Sequence, residues 1–105
     1  MIIKTWNIEE MTGYHPITTF YEDFSIADKF GVNAIKDTYN RAFKEWKTDY
    51  KYLTELVMVL NWKSWEHENN SQLCQLYCDL YYKLHEYAHK NLKGEELSYY
   101  IRTTD

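Results

Sequence analysis

The sequence predicts an all-α protein, a compact bundle of four or five helices that follows an extended or weakly structured N-terminal arm. A single Pro and three Gly leave few breaks in 105 residues, which favours helices over a fold with many turns. Apolar residues recur at helical spacing through most of the chain. The connections between these stretches are short, as they are between antiparallel neighbours in a helical bundle.

The chain is long enough for one domain with one core, which we take to span residues 1–105. Residues 1–16 form the arm or loop, because Gly13 and Pro16 mark a break. Thr19 and Glu22 fit a capping box at the start of the first helix. Five helices are then predicted, at residues 19–30, 32–47, 49–68, 72–92 and 95–101. Ser71 is the expected N-cap of the fourth helix, and Gly94 follows its end.

The third predicted helix is apolar on two sides. One face carries Leu53, Leu56, Val57 and Leu60, and another carries Met58, Trp62 and Trp65. A helix of this kind is usually central in a bundle, so we expect it to be the most buried one. The predicted core is Phe43, Trp46, Leu53, Leu56, Val57, Leu60, Leu76, Leu80 and Leu84.

Charge and hydropathy exclude several classes of function. Acidic residues outnumber basic ones only in residues 1–28, and the remainder of the chain is balanced. The absence of a basic stripe argues against direct binding of nucleic acid. No apolar run is long enough to span a bilayer, and the N-terminus has no signal pattern. We therefore expect a cytoplasmic protein in which Cys74 and Cys78 are reduced.

One catalytic signature stands out on the fourth predicted helix. His85, Glu86 and His89 match the H-E-x-x-H pattern, which places two histidines one turn apart to bind Zn²⁺ beside a glutamate base. The residues after His89 do not extend the pattern, and Glu95 and Glu96 are the remaining candidates for a third ligand. We favour a surface histidine pair and no cofactor. The alternative is a small zinc-dependent hydrolase in which Glu86 is catalytic.

Cysteines and histidines share one side of the same helix. Cys74, Cys78, His85 and His89 fall within about 60° around the helix axis. Cys78 and His85 are separated by roughly 10 Å of axial rise, so one helix cannot bring all four to one ion. The simpler interpretation is that both cysteines pack as small apolar side chains. A second alternative is a structural metal site that is completed by another subunit of a homodimer.

Tyrosine is the strongest bias in the composition, with eleven Tyr and four Trp. Aromatic side chains with a polar tip are favoured at protein interfaces. We predict partner contacts at Tyr81, Tyr82, Tyr99 and Tyr100, where tyrosines cluster on and after the fourth helix. The acidic N-terminal quarter is the other candidate contact, and its residues are Glu9, Glu10, Glu22 and Asp23.

Three blocks of the chain resemble short helical proteins encoded by gut bacteria and by their phages or mobile elements. The blocks are residues 18–31, 52–62 and 91–100. The resemblance implies no activity, cofactor or site residue. It implies a setting in which small acidic helical proteins bind and block a host protein. Together with the tyrosine bias, it favours a non-enzymatic interaction protein, such as an inhibitor or accessory factor of a mobile element, that binds a protein partner or itself.

Overall fold

The computed structural model describes residues 16–104, with side chains from Thr19 onward, and these residues form five α-helices and no strand. The helices are α1 (Pro16–Asp28), α2 (Val32–Trp46), α3 (Tyr50–Glu66), α4 (Ser71–Asn91) and α5 (Gly94–Thr104). The predicted all-α bundle is confirmed. The N-terminal arm, and with it Glu9 and Glu10, lies outside the described residues.

The helix boundaries differ from the predicted ones where the local signals were weaker. Helix α1 begins at Pro16 and not at Thr19. Proline is tolerated there because the N–H group that it lacks would have no hydrogen-bond partner within the first turn of a helix. The prediction of Ser71 as an N-cap is wrong. The side chain of Asn70 accepts the Leu73 N–H at 3.2 Å and caps α4, since an amide oxygen serves as well as a hydroxyl.

The connections are set by side-chain caps and by one left-handed glycine. Asp49 caps α3 by accepting the N–H groups of Lys51 and Tyr52 at 3.1 and 3.2 Å. Gly31 joins α1 to α2 with φ of 102°, a conformation that L side chains rarely adopt. These short connections hold successive helices close to each other.

Helix α3 is the centre of the bundle, as its two apolar sides predict, and it contacts all four other helices. A connection of only four residues lets α3 and α4 pack as an antiparallel hairpin. Six residues of the predicted core are buried, while Phe43, Trp46 and Leu76 pack at its edge. The core also includes large residues that the projection missed, among them Phe20, Phe24, Ile35, Tyr39, Tyr77 and Tyr100.

No helix formed by residues 16–104 combines the length and the apolar character needed to cross a membrane.

Candidate functional site

A buried lysine lies at the junction of α1, α3 and α4. Lys63 follows Leu56 and Leu60 on the apolar side of α3, and its side chain is fully buried. Its ammonium lies 2.7 Å from Asp28 Oδ2, and it donates hydrogen bonds to Glu66 Oε2 at 2.9 Å and Ser25 Oγ at 3.1 Å. All three of its donors are therefore used, which is the condition under which a buried charge is tolerated.

Asp28 links this lysine to the neighbouring helices. The Tyr77 hydroxyl donates to Asp28 Oδ1 at 2.5 Å, and His67 Nε2 lies 2.9 Å from Oδ2. The His67 ring stacks on Tyr77 with 5.6 Å between centroids. The Tyr21 hydroxyl donates to Glu66. We call the set of Tyr21, Ser25, Asp28, Lys63, Glu66, His67 and Tyr77 the Lys63 cluster.

The cluster holds its charged groups in their ionised forms. Burial alone would raise the pKa of Asp28, but hydrogen bonds from Lys63, Tyr77 and His67 outweigh it and hold that pKa below its usual value. The hydrogen bond from Tyr21, together with Lys63, lowers the pKa of Glu66. Burial would lower the pKa of Lys63, yet its bonds to both carboxylates raise it. A lysine that stays protonated is not a nucleophile or a base.

The same cluster contains three groups that could ligate a metal ion. One ligand atom each from Asp28, Glu66 and His67 lie within 4.8 Å of one another, and no other set of three is found in residues 16–104. The ammonium of Lys63 already bonds both carboxylates, so it occupies the space between them and repels a second cation. The arrangement is that of an internal ion pair that joins three helices.

The H-E-x-x-H residues lie on the last half of α4. The rings of His85 and His89 have centroids 4.5 Å apart, so the structure brings them together. His85 Nδ1 lies 2.6 Å from the hydroxyl of Tyr100, which is fully buried. Burial raises the pKa of Tyr100, so this phenol is neutral and is hydrogen-bonded to the imidazole. Glu86 is exposed.

The remaining candidate ligands do not complete a site with these histidines. Glu95 and Glu96 are exposed in the first turn of α5. They form no three-ligand set with His85 and His89 in the described part of the chain. Cys74 and Cys78 are free and partly exposed. Burial and the neighbouring Cys78 raise the pKa of Cys74, which favours the thiol over the metal-binding thiolate.

Large aromatic side chains are exposed on the outer side of the α3–α4 hairpin. The exposed fractions are 44% for Trp62, 68% for Trp65 and 65% for Tyr82. Tyr81 contacts Tyr82 with 5.1 Å between ring centroids, and it shares a shallow cleft with Trp62. The cleft has a volume of about 170 Å³ and continues to Thr103 and Thr104 at the end of α5. We call Trp62, Trp65, Tyr81 and Tyr82 the aromatic face.

The structure separates the tyrosines that the sequence groups together. Tyr81 and Tyr82 belong to the aromatic face, whereas Tyr99 packs against Tyr50 with 5.3 Å between centroids. Tyr100 has no exposed surface with which to contact a partner. Two of the acidic residues that were predicted to contact a partner lie within the described part of the chain. Of these, Glu22 is exposed and Asp23 is buried.

The sequence contains signals for two features of the structure that were not among the predictions. Lys63 lies on the same helical stripe as Leu56 and Leu60, and a lysine on such a stripe can indicate a buried ion pair. Trp62 and Trp65 were assigned to a second apolar side of α3, but that side is largely exposed.

Comparison with protein-family profiles, with curated proteins and with solved structures finds no match to this chain. The resemblance to proteins of gut bacteria and mobile elements therefore stays a prediction.

Proposed function

We propose that this chain is a non-enzymatic interaction protein that binds another protein through the aromatic face. The observation that carries the proposal is the exposure of Trp62, Trp65 and Tyr82 on a helical hairpin whose other side is a packed core. Tryptophan and tyrosine dominate the residues that contribute most to binding energy at protein interfaces.

The exposed area of the aromatic face can be compared with the area of a typical protein interface. At 150–250 Å² for each aromatic side chain, the exposed parts of Trp62, Trp65 and Tyr82 amount to roughly 400 Å². A stable interface buries about 800 Å² on each partner. These three side chains would therefore supply about half of one side of such an interface.

The Lys63 cluster supports this surface from the inside. Lys63 is adjacent in sequence to Trp62, and its ion pairs hold α3 against α1. A rigid scaffold lowers the entropy lost on binding. The setting we propose is cytoplasmic, with the chain acting as an inhibitor or accessory factor of a mobile element.

The proposal is tested by affinity capture with purified variants. Wild-type protein, a Trp65→Ala/Tyr82→Ala double variant and a Phe30→Ala control are immobilised and exposed to extract of the source cells. Phe30 is 76% exposed and lies in the connection between α1 and α2, outside the aromatic face, so the control removes a comparable apolar surface. We expect a protein that is retained by the wild type and the control but lost by the double variant. Retention of every partner by the double variant would refute the proposal.

The two metal-based alternatives are separated from it by elemental analysis of protein purified without chelator or a His tag. A zinc hydrolase requires about one zinc per chain and an activity lost in Glu86→Gln. A metal site shared between two subunits requires about half a zinc per chain and a dimer that dissociates with chelator. The interaction protein needs no metal, so chelation should leave partner capture unchanged.

A further inference from the structure

Two cysteines lie on the same face of α4, in its first half. Cys74 and Cys78 are four residues apart in this helix, which places their β-carbons about 5–6 Å from each other. Both thiols are free and partly exposed. Partial burial is the largest cause that raises the pKa of Cys74, and the charge of Cys78 is the next. The two thiols are therefore close enough to influence each other's ionisation, and solvent can reach them.

The spacing of this pair suits an ion between the sulfur atoms better than a bond between them. A disulfide needs β-carbons about 3.5–4.5 Å apart, which is closer than an α-helix holds residues one turn apart. Two sulfur atoms that share an ion can be up to about 4.6 Å apart, since a zinc–sulfur bond is about 2.3 Å and bonds to other thiolate-binding ions are of similar length. A bridging ion therefore leaves α4 intact, whereas a disulfide would distort it.

The number of available ligands selects among the possible ions. Zinc takes three or four ligands from a protein, but within residues 16–104 no group of three candidate ligands includes either cysteine. On the same side of α4, His85 is seven residues beyond Cys78, which is roughly 10 Å along the axis. Cu(I) is a soft ion that thiolates select, and two thiolates in a nearly linear arrangement satisfy it. The pair therefore fits Cu(I) better than zinc.

We propose that Cys74 and Cys78 bind one Cu(I) ion between their sulfur atoms. Both ligands belong to one helix of one chain, unlike those of a zinc site shared between two subunits. Two S–H bonds break, two Cu–S bonds form and two protons pass to solvent, which leaves a bis-thiolate complex with one negative charge. Cys74 lies at the end of the first turn of α4, where the helix dipole favours that charge. The neighbouring Glu68 raises the pKa of the free Cys74 thiol, but its carboxylate attracts the incoming cation.

The test is an anaerobic titration of the reduced, metal-free chain with Cu(I), in competition with the coloured Cu(I) chelator bathocuproine disulfonate. We expect about one Cu(I) per chain, with both thiols protected from alkylation by iodoacetamide. Zn²⁺ at the same free concentration should leave both thiols reactive. Equal protection by zinc would overturn the proposal. Thiols that return with a reductant but not with a chelator would overturn it too, because they would have formed a disulfide.

Serine variants locate the bound ion. Cys74→Ser and Cys78→Ser should each raise the dissociation constant for Cu(I) by at least about 100-fold, since loss of residues that only orient a ligand already costs about 10–100-fold. The matched control is Gln75→Ser, which introduces the same residue at an exposed position between the two cysteines and removes no thiol. Circular dichroism verifies that all variants remain helical. Equal affinity of the wild type and the Cys74→Ser/Cys78→Ser double variant would place the ion elsewhere and overturn the proposal.

Sedimentation equilibrium with and without Cu(I) distinguishes this site from an ion held between two chains. Because both ligands lie on one helix, Cu(I) should not change the mass of the sedimenting species. Assembly of a dimer on addition of Cu(I), with about half an ion per chain, would overturn the proposal. The site goes beyond the proposed function and does not depend on it, since partner capture and Cu(I) binding are measured separately.

Discussion

The two sides of helix α3 reverse the usual placement of charged and aromatic residues. Lys63 is fully buried, whereas its neighbour Trp62 is 44% exposed and Trp65 is 68% exposed. The lysine is stable inside because three partners satisfy its ammonium. The tryptophans lie outside, where their area is available to a partner. The inner side therefore contributes to folding, and we propose that the outer side of the same helix contributes to binding.

The largest expected effect comes from Lys63→Ala. This change leaves the partly buried Asp28 and the exposed Glu66 charged without their cation, and breaking a buried ion pair costs about 3–5 kcal/mol. We expect the free energy of unfolding in urea to fall by that amount. The exposed lysine of Lys36→Ala provides the control, with a change within about 0.5 kcal/mol. A comparable loss in both variants would show that the cluster has no special role.

Low pH should reduce the stability that the ion pairs on the inner side of α3 contribute. The pKa values of Asp28 and Glu66 are held below 3.8 and 4.5, their usual values. The stability that they contribute is therefore present above those values and is lost as pH falls through the lowered ones. The raised pKa of Lys63 adds stability that is lost only in strong base, as pH rises past 10.5 and through the raised value. We expect the effect of acid to be smaller than that of Lys63→Ala, because protonation neutralises the carboxylates.

The acid prediction is checked by urea unfolding from pH 7 downward, with Asp28→Asn as the comparison. The variant lacks one of the two titrating groups, so its free energy of unfolding should depend less on pH below about 4. Parallel curves for the wild type and the variant would contradict the role assigned to Asp28.

Tyr77→Phe isolates one hydrogen bond of the cluster. The hydroxyl of Tyr77 is buried and donates to Asp28 at 2.5 Å, so its removal should cost about 1–3 kcal/mol. Tyr82→Phe is the matched control, because the exposed Tyr82 has no hydrogen bond to lose in the described part of the chain. Thermal unfolding of both variants measures the difference, and equal melting temperatures would argue against the bond.

The smallest effect on stability is expected from Trp65→Ala, on the outer side. Its side chain is largely exposed, so the free energy of unfolding should change by no more than about 0.5 kcal/mol. Chemical unfolding followed by circular dichroism provides the measurement. A loss of several kcal/mol would mean that Trp65 serves the fold, and its exposure would no longer indicate a binding surface.

The sequence was sufficient to predict the five helices because apolar spacing and polar caps are local signals. The cap at Asn70 was missed because Asn and Ser are both good N-caps and stand side by side. The central position of α3 followed from its two apolar sides. The helical projection could not show that one of these sides faces solvent. Which sides of a helix are covered depends on how all five helices pack together.

The Lys63 cluster could not have been assembled from the sequence. Asp28 and Lys63 are far apart along the chain, and only the crossing of α1 and α3 brings them within 2.7 Å. The same reason explains why the burial of Tyr100 was not predicted. Its neighbour Tyr99 looks equivalent in sequence, but the rotation of α5 buries Tyr100 against His85. Among the predicted contact residues, only Tyr82 combines a large ring with high exposure in the described residues.

The most direct test of the division between the two sides is partner capture by the Trp65→Ala/Tyr82→Ala variant, on protein whose free energy of unfolding equals that of the wild type. We predict that a partner retained by the wild type is lost by this variant at unchanged stability. Retention of every partner would contradict this division, because the outer side of α3 would then be exposed without contributing to binding.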